Sequence, residues 1–261
     1  MITVRSWGIA GRVVDGGRAG LLSVGISRGG AVDTESLALA NRLVGNAADT
    51  CALETSGGMT LEFGETTAIA VTGAVAEIGV SAGPPVGWGT VAALPAGSTL
   101  RVGRVLDGAR VYVAVHGGLS GDAEVGRLGL GPDPGVAAAA LSVPRPAAVT
   151  SLRVWPGPRI AWFVEGTWQR LCTSVYVVTD TNRVGTRLIG PPLELVRRRE
   201  LPSEGLVEGA IQVPVDGQPI IMLADHPTTG GYPVIAVVDP ADVHHAAQAA
   251  PGTELRFTAC A

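Results

Sequence analysis

Few side chains in this chain are placed to do chemistry, and most of those are arginine and aspartate set among glycines. One group runs Asp15-Gly16-Gly17-Arg18 and resumes at Ser27-Arg28-Gly29-Gly30-Ala31-Val32-Asp33. Small residues beside Arg leave room for a ligand, and a guanidinium matches a planar carboxylate through two parallel hydrogen bonds. A helix starting after Asp33 would add the positive end of its dipole. A second group is Asp180-Thr181-Asn182-Arg183-Val184-Gly185-Thr186-Arg187, where a strand would put Arg183 and Arg187 on one side. A third, Asp225-His226-Pro227-Thr228-Thr229-Gly230-Gly231-Tyr232-Pro233, lies between the apolar runs Ile220–Ala224 and Val234–Val238. A loop of this composition between buried strands can aim backbone N–H groups at a ligand. Each group also has a plainer reading: Asp–Arg ties between loops, a surface strand, and a rigid turn.

The rest of the composition mostly excludes. All 19 basic residues are Arg, so no Schiff-base lysine, P-loop lysine or biotinyl-lysine exists in this chain. A net charge of −4 argues against a nucleic-acid surface, and Arg197-Arg198-Arg199, followed at once by Glu200, reads as a solvated edge. Cys51, Cys172 and Cys260 lie far apart with no zinc spacing, and read as buried, reduced thiols. No metal site is expected. No run approaches the length of a membrane span, and the N-terminus lacks a signal-peptide core, so the expectation is a cytoplasmic protein off the membrane. No GxSxG, HExxH, GxGxxG or Walker sequence is present.

The elements that must position these residues are short strands. Ile2–Val4, Met59–Phe63, Ala68–Val71, Thr99–Val102, Arg110–Val115, Leu152–Trp155, Val175–Val178, Ile220–Leu223, Val234–Val237 and Glu254–Thr258 are rich in Val, Ile and Thr. Gly (37) and Pro (18) punctuate them at strand-length intervals, as in β barrels and sandwiches. Three helices are expected. One spans Thr34–Val44, with Asp33 as N-cap, Gly45 past its end and Asn41 bonding across to a loop. The others are Ile160 to about Leu171, weakened by Gly166, and Ala241–Ala249. A Pro/Ala-rich stretch at 131–150 reads as a linker and divides the chain into residues 1–140 and 141–261, with the boundary within 130–152.

The order of motifs resembles the KipA family, also called allophanate hydrolase subunit 2 or the biotin-dependent carboxyltransferase-like family. The matching stretches are VVDGGRAG (13–20), SRGGAVD (27–33), ANRLVGN (40–46), ALE (52–54), VTGA (71–74), AVHGGL (114–119), TNRVGTRLIGPPLE (181–194) and GAIQVPVDGQPIIMLADHPTTGGYP (209–233). They cover nearly the whole chain, and the last block is long and specific. Two positions depart: Val14 stands where the family has Gln, and His226-Pro227 where Arg-Gln or similar is usual.

The resemblance implies a mainly β protein of two cyclophilin-like barrel parts. It implies a KipI-like partner (allophanate hydrolase subunit 1), a LamB/YcsF-like third subunit in many members, and a joint ATP-dependent 5-oxoprolinase activity. ATP belongs to the complex, and any biotin must arrive on another chain. The implied site joins Asp225, Arg183 and Arg187 as catalytic groups. Asp15, Arg18, Ser27, Arg28, Gly29, Gly30, Gln218, Thr228, Thr229, Gly230, Gly231 and Tyr232 would bind a small anionic substrate, with the Gly230 and Gly231 amides facing an oxyanion. Two other readings stand beside it: the carboxyltransferase of a biotin-dependent urea-type carboxylase, and a KipI-binding regulator without catalysis.

Overall fold

The computed structural model describes residues 1–120, 126–136, 138, 142–196 and 201–260. The Arg197-Arg198-Arg199 run and part of the 131–150 stretch lie outside them. The chain forms two compact units that do not follow chain order: Met1–Gly17 with Asp33–Pro146, and Arg18–Val32 with Ala147–Ala261. The segment Arg18–Val32 groups with residues 147–261 rather than with its neighbours in sequence. The physical reason is burial and backbone pairing: Val32 is 1% exposed within the second unit's core, and Gly29 N–H donates to the Ala224 carbonyl at 3.1 Å.

The first unit is a curled sheet. Its strands are β1 (Ile2–Ser6), β2 (Arg12–Val14), β3 (Ala52–Thr55), β4 (Met59–Phe63), β5 (Thr67–Val80), β6 (Val91–Leu94), β7 (Thr99–Val115), β8 (Leu119–Ser120) and β9 (Arg127–Leu130). The order is β2-β3-β7-β4-β1-β9-β8, with β5 on β7 and β6 on β5. Alternation in β4 buries Met59, Leu61 and Phe63 and leaves Thr60 and Glu62 half-buried, as a period of two requires. The sequence suggests a break between Val102 and Arg110. The chain instead continues as one strand, because the long β5 pairs along it. Register slips between Gly73 and Ile78 are bulges, which bend the sheet.

Helix α1 (Thr34–Leu43) packs on β5 and β7. Ser36 donates to Asp33 through its backbone N–H (2.9 Å) and its hydroxyl (2.5 Å), so Asp33 is the expected N-cap. Gly45 then stops the helix at φ +82°. Asn41 donates to the Thr50 carbonyl at 2.7 Å, the bond across to a loop that its position suggests.

The second unit is a closed barrel of β10 (Ser151–Pro156), β11 (Tyr176–Thr181), β12 (Gly185–Ile189), β14 (Ala210–Gln212), β15 (Ile220–Met222), β17 (Val234–Val238) and β18 (Glu254–Ala259). The order is β10-β17-β14-β15-β12-β11-β18, closed by the parallel β10–β18 pair. A separate ribbon joins β13 (Glu204–Gly205) to β16 (Thr229–Gly230). The expected helix at 160–171 splits into a 3-10 turn (Ile160–Trp162) and α2 (Thr167–Thr173), because Gly166 turns left-handed at φ +82°. The third expected helix is α3 (Val243–Gln248). Leu152, Tyr176, Ile211, Ile235 and Phe257 fill the barrel. The protein is thus mainly β with two barrel-like parts, one closed and one a curled half-barrel. The three cysteines are unpaired and only half-buried, not fully enclosed.

Candidate functional site

The residues singled out for chemistry meet mainly in the second unit, where Arg18–Val32 lies against the barrel. The β11–β12 hairpin turn starts the assembly. Asn182 accepts through Oδ1 from Val184 N–H (2.8 Å) and Gly185 N–H (3.2 Å), an Asx turn that lifts Arg183 out of strand register. Arg183 is 8% exposed. Its Nε donates to Asp225 Oδ2 at 2.7 Å and its Nη2 to Asp225 Oδ1 at 3.0 Å, while Nη2 also reaches the Gly30 carbonyl at 2.5 Å. The backbones agree, since Asp225 N–H donates to the Arg183 carbonyl at 2.9 Å. One buried guanidinium therefore ties the hairpin, the 225–233 loop and the Arg18–Val32 segment together.

Arg183 and Arg187 do not share a strand face. Arg183 occupies the turn, while Arg187 lies within β12, exposed and opposite Asp180. The Asx turn is the reason: strand periodicity starts only at Gly185.

Arg28 makes a second fork. Its Nε and Nη2 donate to Glu208 at 2.7 and 2.9 Å, and Nη2 also donates to the Ala31 carbonyl at 3.0 Å. Arg28 and Arg183 are thus each matched by a carboxylate. Arg18 differs. Its backbone N–H donates to the Arg28 carbonyl at 2.7 Å, but its exposed guanidinium has no side-chain partner among the described residues. It lies against Gly29, whose φ is +60°. A Cβ there would sit 3.6 Å from Arg18 Nη2 and 4.0 Å from Asp225 Oδ1. Gly29 itself is buried, with the Arg18 guanidinium and the Asp225 carboxylate on either side of where its side chain would be. Gly30, also left-handed at φ +68°, continues the bend. Ser27 adjoins Arg28 and is half-buried.

The 225–233 loop is built by packing more than by turn geometry. Gly230 belongs to β16, opposite Glu204, so its backbone runs in a ladder and not around an open oxyanion pocket. Glu204 is in turn held by Arg159. Neither Gly230 nor Gly231 is left-handed. A Cβ on Gly230 would meet Gln212 Nε2 at 2.5 Å and Leu206 Cδ1 at 2.7 Å, whereas Gly231 is nearly open. The Thr228 carbonyl accepts from Leu206 N–H at 2.9 Å, Thr229 is exposed, and Tyr232 is exposed with its carbonyl held by Gln212 at 3.1 Å.

Two expected ligand residues make local hydrogen bonds. Gln218 accepts from Gly190 N–H at 2.9 Å and donates to the Gly190 carbonyl at 3.3 Å, so its amide clamps a loop. Asp15 lies in the first unit and accepts from Gly17 N–H at 2.8 Å. Glu208 was not legible as a member of the site. Its only signal is a carboxylate beside Gly209, which is common in turns.

The arrangement offers one exposed, unmatched cation beside a buried glycine turn and an Arg-held carboxylate. That suits a single anionic group such as a carboxylate; a triphosphate would need more cations than the cluster leaves unmatched. Among the described residues no group of His, Cys, Asp and Glu is placed to hold a metal ion, and no helix is long and apolar enough to cross a membrane.

A family model described as carboxyltransferase domain, subdomain A and B, matches residues 24–127 and 123–259. The chain is 35% identical over 285 residues to the C subunit of the 5-oxoprolinase of Escherichia coli (strain K12), across 100% of this chain and 91% of that protein. A crystal structure of TTHA0988 matches with a TM-score of 0.83 at 33% identity, over 98% of this chain and 56% of that one. The K. lactis urea amidolyase structure matches with a TM-score of 0.88 at 25% identity, over 100% of this chain and 19% of that one. The chain spans 56% of the TTHA0988 chain in that crystal and 99% of it in another crystal form, and about a fifth of the urea amidolyase chain.

Proposed function

The chain belongs to the carboxyltransferase domain A and B family, and from that premise we propose that it is the C subunit of an ATP-dependent 5-oxoprolinase. The reaction opens 5-oxoproline to glutamate, consuming ATP and two waters and yielding ADP and phosphate. The observation that carries this reading is 35% identity, end to end, to a protein named as that subunit.

The site chemistry supports it. 5-Oxoproline carries one carboxylate and an uncharged lactam. Arg18 takes the carboxylate of 5-oxoproline. Arg183 is a positioning residue that holds Asp225 and the Gly30 backbone in place. ATP phosphorylates the amide oxygen and binds on another subunit, because this cluster has one unmatched cation. The partners are a KipI-like subunit and a LamB/YcsF-like third subunit, in the cytoplasm.

The test is purification with both partner subunits, followed by assay of 5-oxoproline and urea, each with and without ATP. The expected result is glutamate from 5-oxoproline only when ATP and all subunits are present. Carboxylation of urea with a biotin carboxylase and carrier would instead establish the carboxyltransferase reading. Stoichiometric binding of the KipI-like subunit without turnover would leave a regulator.

A further inference from the structure

We propose that the loop 19–26 is the seat of the ATP-bearing partner subunit, which closes over the Arg18 guanidinium. Residues 19–27 carry no charge, and Leu21, Leu22, Val24 and Ile26 among them are large and apolar. Leu21 is 38% exposed, Val24 68% and Ile26 40%. No residue of the 3-10 turn Leu22–Val24 is buried. A single apolar side chain on a surface needs no explanation, but several within six positions form a patch, and such patches mark contact sites. Val207, itself exposed, stands near the base of the loop, one residue before the Glu208 that holds Arg28.

The shape of the loop does not depend on these side chains. Val24 N–H donates to the Leu21 carbonyl at 3.1 Å, Gly25 N–H to the Leu22 carbonyl at 3.0 Å and Ile26 N–H to the Leu21 carbonyl at 3.2 Å. Gly25 turns left-handed at φ +81°. Arg18 N–H closes the base on the Arg28 carbonyl at 2.7 Å. Backbone bonds therefore hold the apolar side chains outward, and a preformed surface loses little entropy on binding.

What covers the loop follows from the 5-oxoprolinase reading, on which this inference rests. Transfer of the γ-phosphoryl group forms a P–O bond to the lactam oxygen and releases ADP, so the γ-phosphorus must come within about 3–3.5 Å of that oxygen. In 5-oxoproline the lactam carbon and the carboxylate-bearing carbon flank one ring nitrogen. With the carboxylate on Arg18 and the nucleotide on another chain, that chain must reach to within one small ring of Arg18. The exposed surface that adjoins Arg18 in the sequence is this loop. An uncharged loop fits an apolar socket and leaves the nucleotide phosphates to the partner's own cations. A lipid surface would call for a cluster of basic residues, and the loop has none between Arg18 and Arg28.

Association, measured apart from turnover, tests it. Leu21→Ser and Val24→Asp change solvent-facing side chains and should leave the melting temperature of the isolated chain unchanged. Titrated calorimetrically with the KipI-like subunit, the LamB/YcsF-like subunit and the two premixed, each variant should bind about 10–100-fold more weakly than the wild type to at least one of them. Val215→Asp, as exposed at 69% but on the turn at the other end of β14 from Glu208, should bind like the wild type. Unchanged affinity in the Leu21→Ser/Val24→Asp double variant overturns the proposal, while glutamate from the wild-type complex keeps the parent reading. A wild-type chain that dimerises alone, or sediments with anionic vesicles, and loses that property in Val24→Asp assigns the loop to a second copy or to lipid and also overturns it. No ATP-dependent glutamate from the wild-type complex removes the parent reading, and with it the ATP-bearing occupant.

Discussion

Arg183 and Asp225 meet fork to fork, Nε 2.7 Å from Oδ2 and Nη2 3.0 Å from Oδ1, across 42 positions of sequence. Arg183 is almost wholly enclosed while Asp225 is about a third exposed, so removing Asp225 leaves the costlier charge and removing Arg183 costs mainly the fork and the tie to Gly30. Arg183→Ala should destabilise the protein by about 2–4 kcal/mol, and Arg183→Lys by less, since it keeps the charge and loses the fork. Denaturant titration of Arg183→Ala, Asp225→Ala and the double variant measures the coupling. Additive effects would mean that the pair contributes nothing together.

Arg18 should behave in the opposite way. Its guanidinium is exposed and unmatched, so Arg18→Gln should leave stability within about 0.5 kcal/mol. In the reconstituted complex it should raise KM for 5-oxoproline about 10–100-fold, the loss of one charge-assisted bidentate contact. An unchanged KM would place the substrate carboxylate elsewhere.

Adjacent glycines should separate sharply. Gly230→Ala drives a methyl into Gln212 and Leu206 and should cost about 1–3 kcal/mol, as overpacking does. Gly231→Ala meets only the Leu201 carbonyl, 3.7 Å away, and should be close to neutral. Melting curves of the two variants decide the point, and equal losses would contradict the packing account.

Acid sensitivity should trace partly to Asp242. Arg153 hydrogen-bonds its carboxylate and holds its pKa below the ordinary carboxylate value. A group whose folded pKa is depressed contributes stability above its unfolded pKa, about 3.9, and loses it as pH falls through the folded value. Asp242→Asn should therefore be less stable than the wild type at pH 7, and the gap should narrow below about pH 4. Urea titrations at pH 7, 4 and 3 test this; a constant gap would contradict it.

Sequence patterns located the elements where local chemistry decides them. Asp33 and Gly45 bracket α1 because a cap and a left-handed stop act within one turn. β4 was legible because its alternation reflects a single buried face. β7 was not, since what carries Gly103 through Gly108 as strand is the distant β5. The site divides similarly. Arg28, Arg183 and Asp225 were identifiable as chemically capable, yet what each bonds depends on tertiary pairing that no spacing records. Glu208, which matches Arg28 across 180 positions, gave no signal of its own.

The membership of Arg18–Val32 in the second unit also sets an order of events during synthesis. These residues leave the ribosome early, whereas the Ala224 carbonyl and the Arg183 guanidinium that secure them are made roughly 150–200 residues later. At roughly 5–20 residues per second, the segment waits on the order of 10–40 s for its partners. Residues 147–261 expressed alone would lack Arg28, Gly29 and Gly30, so a half-length protein should recover its barrel only when the early peptide is supplied in trans.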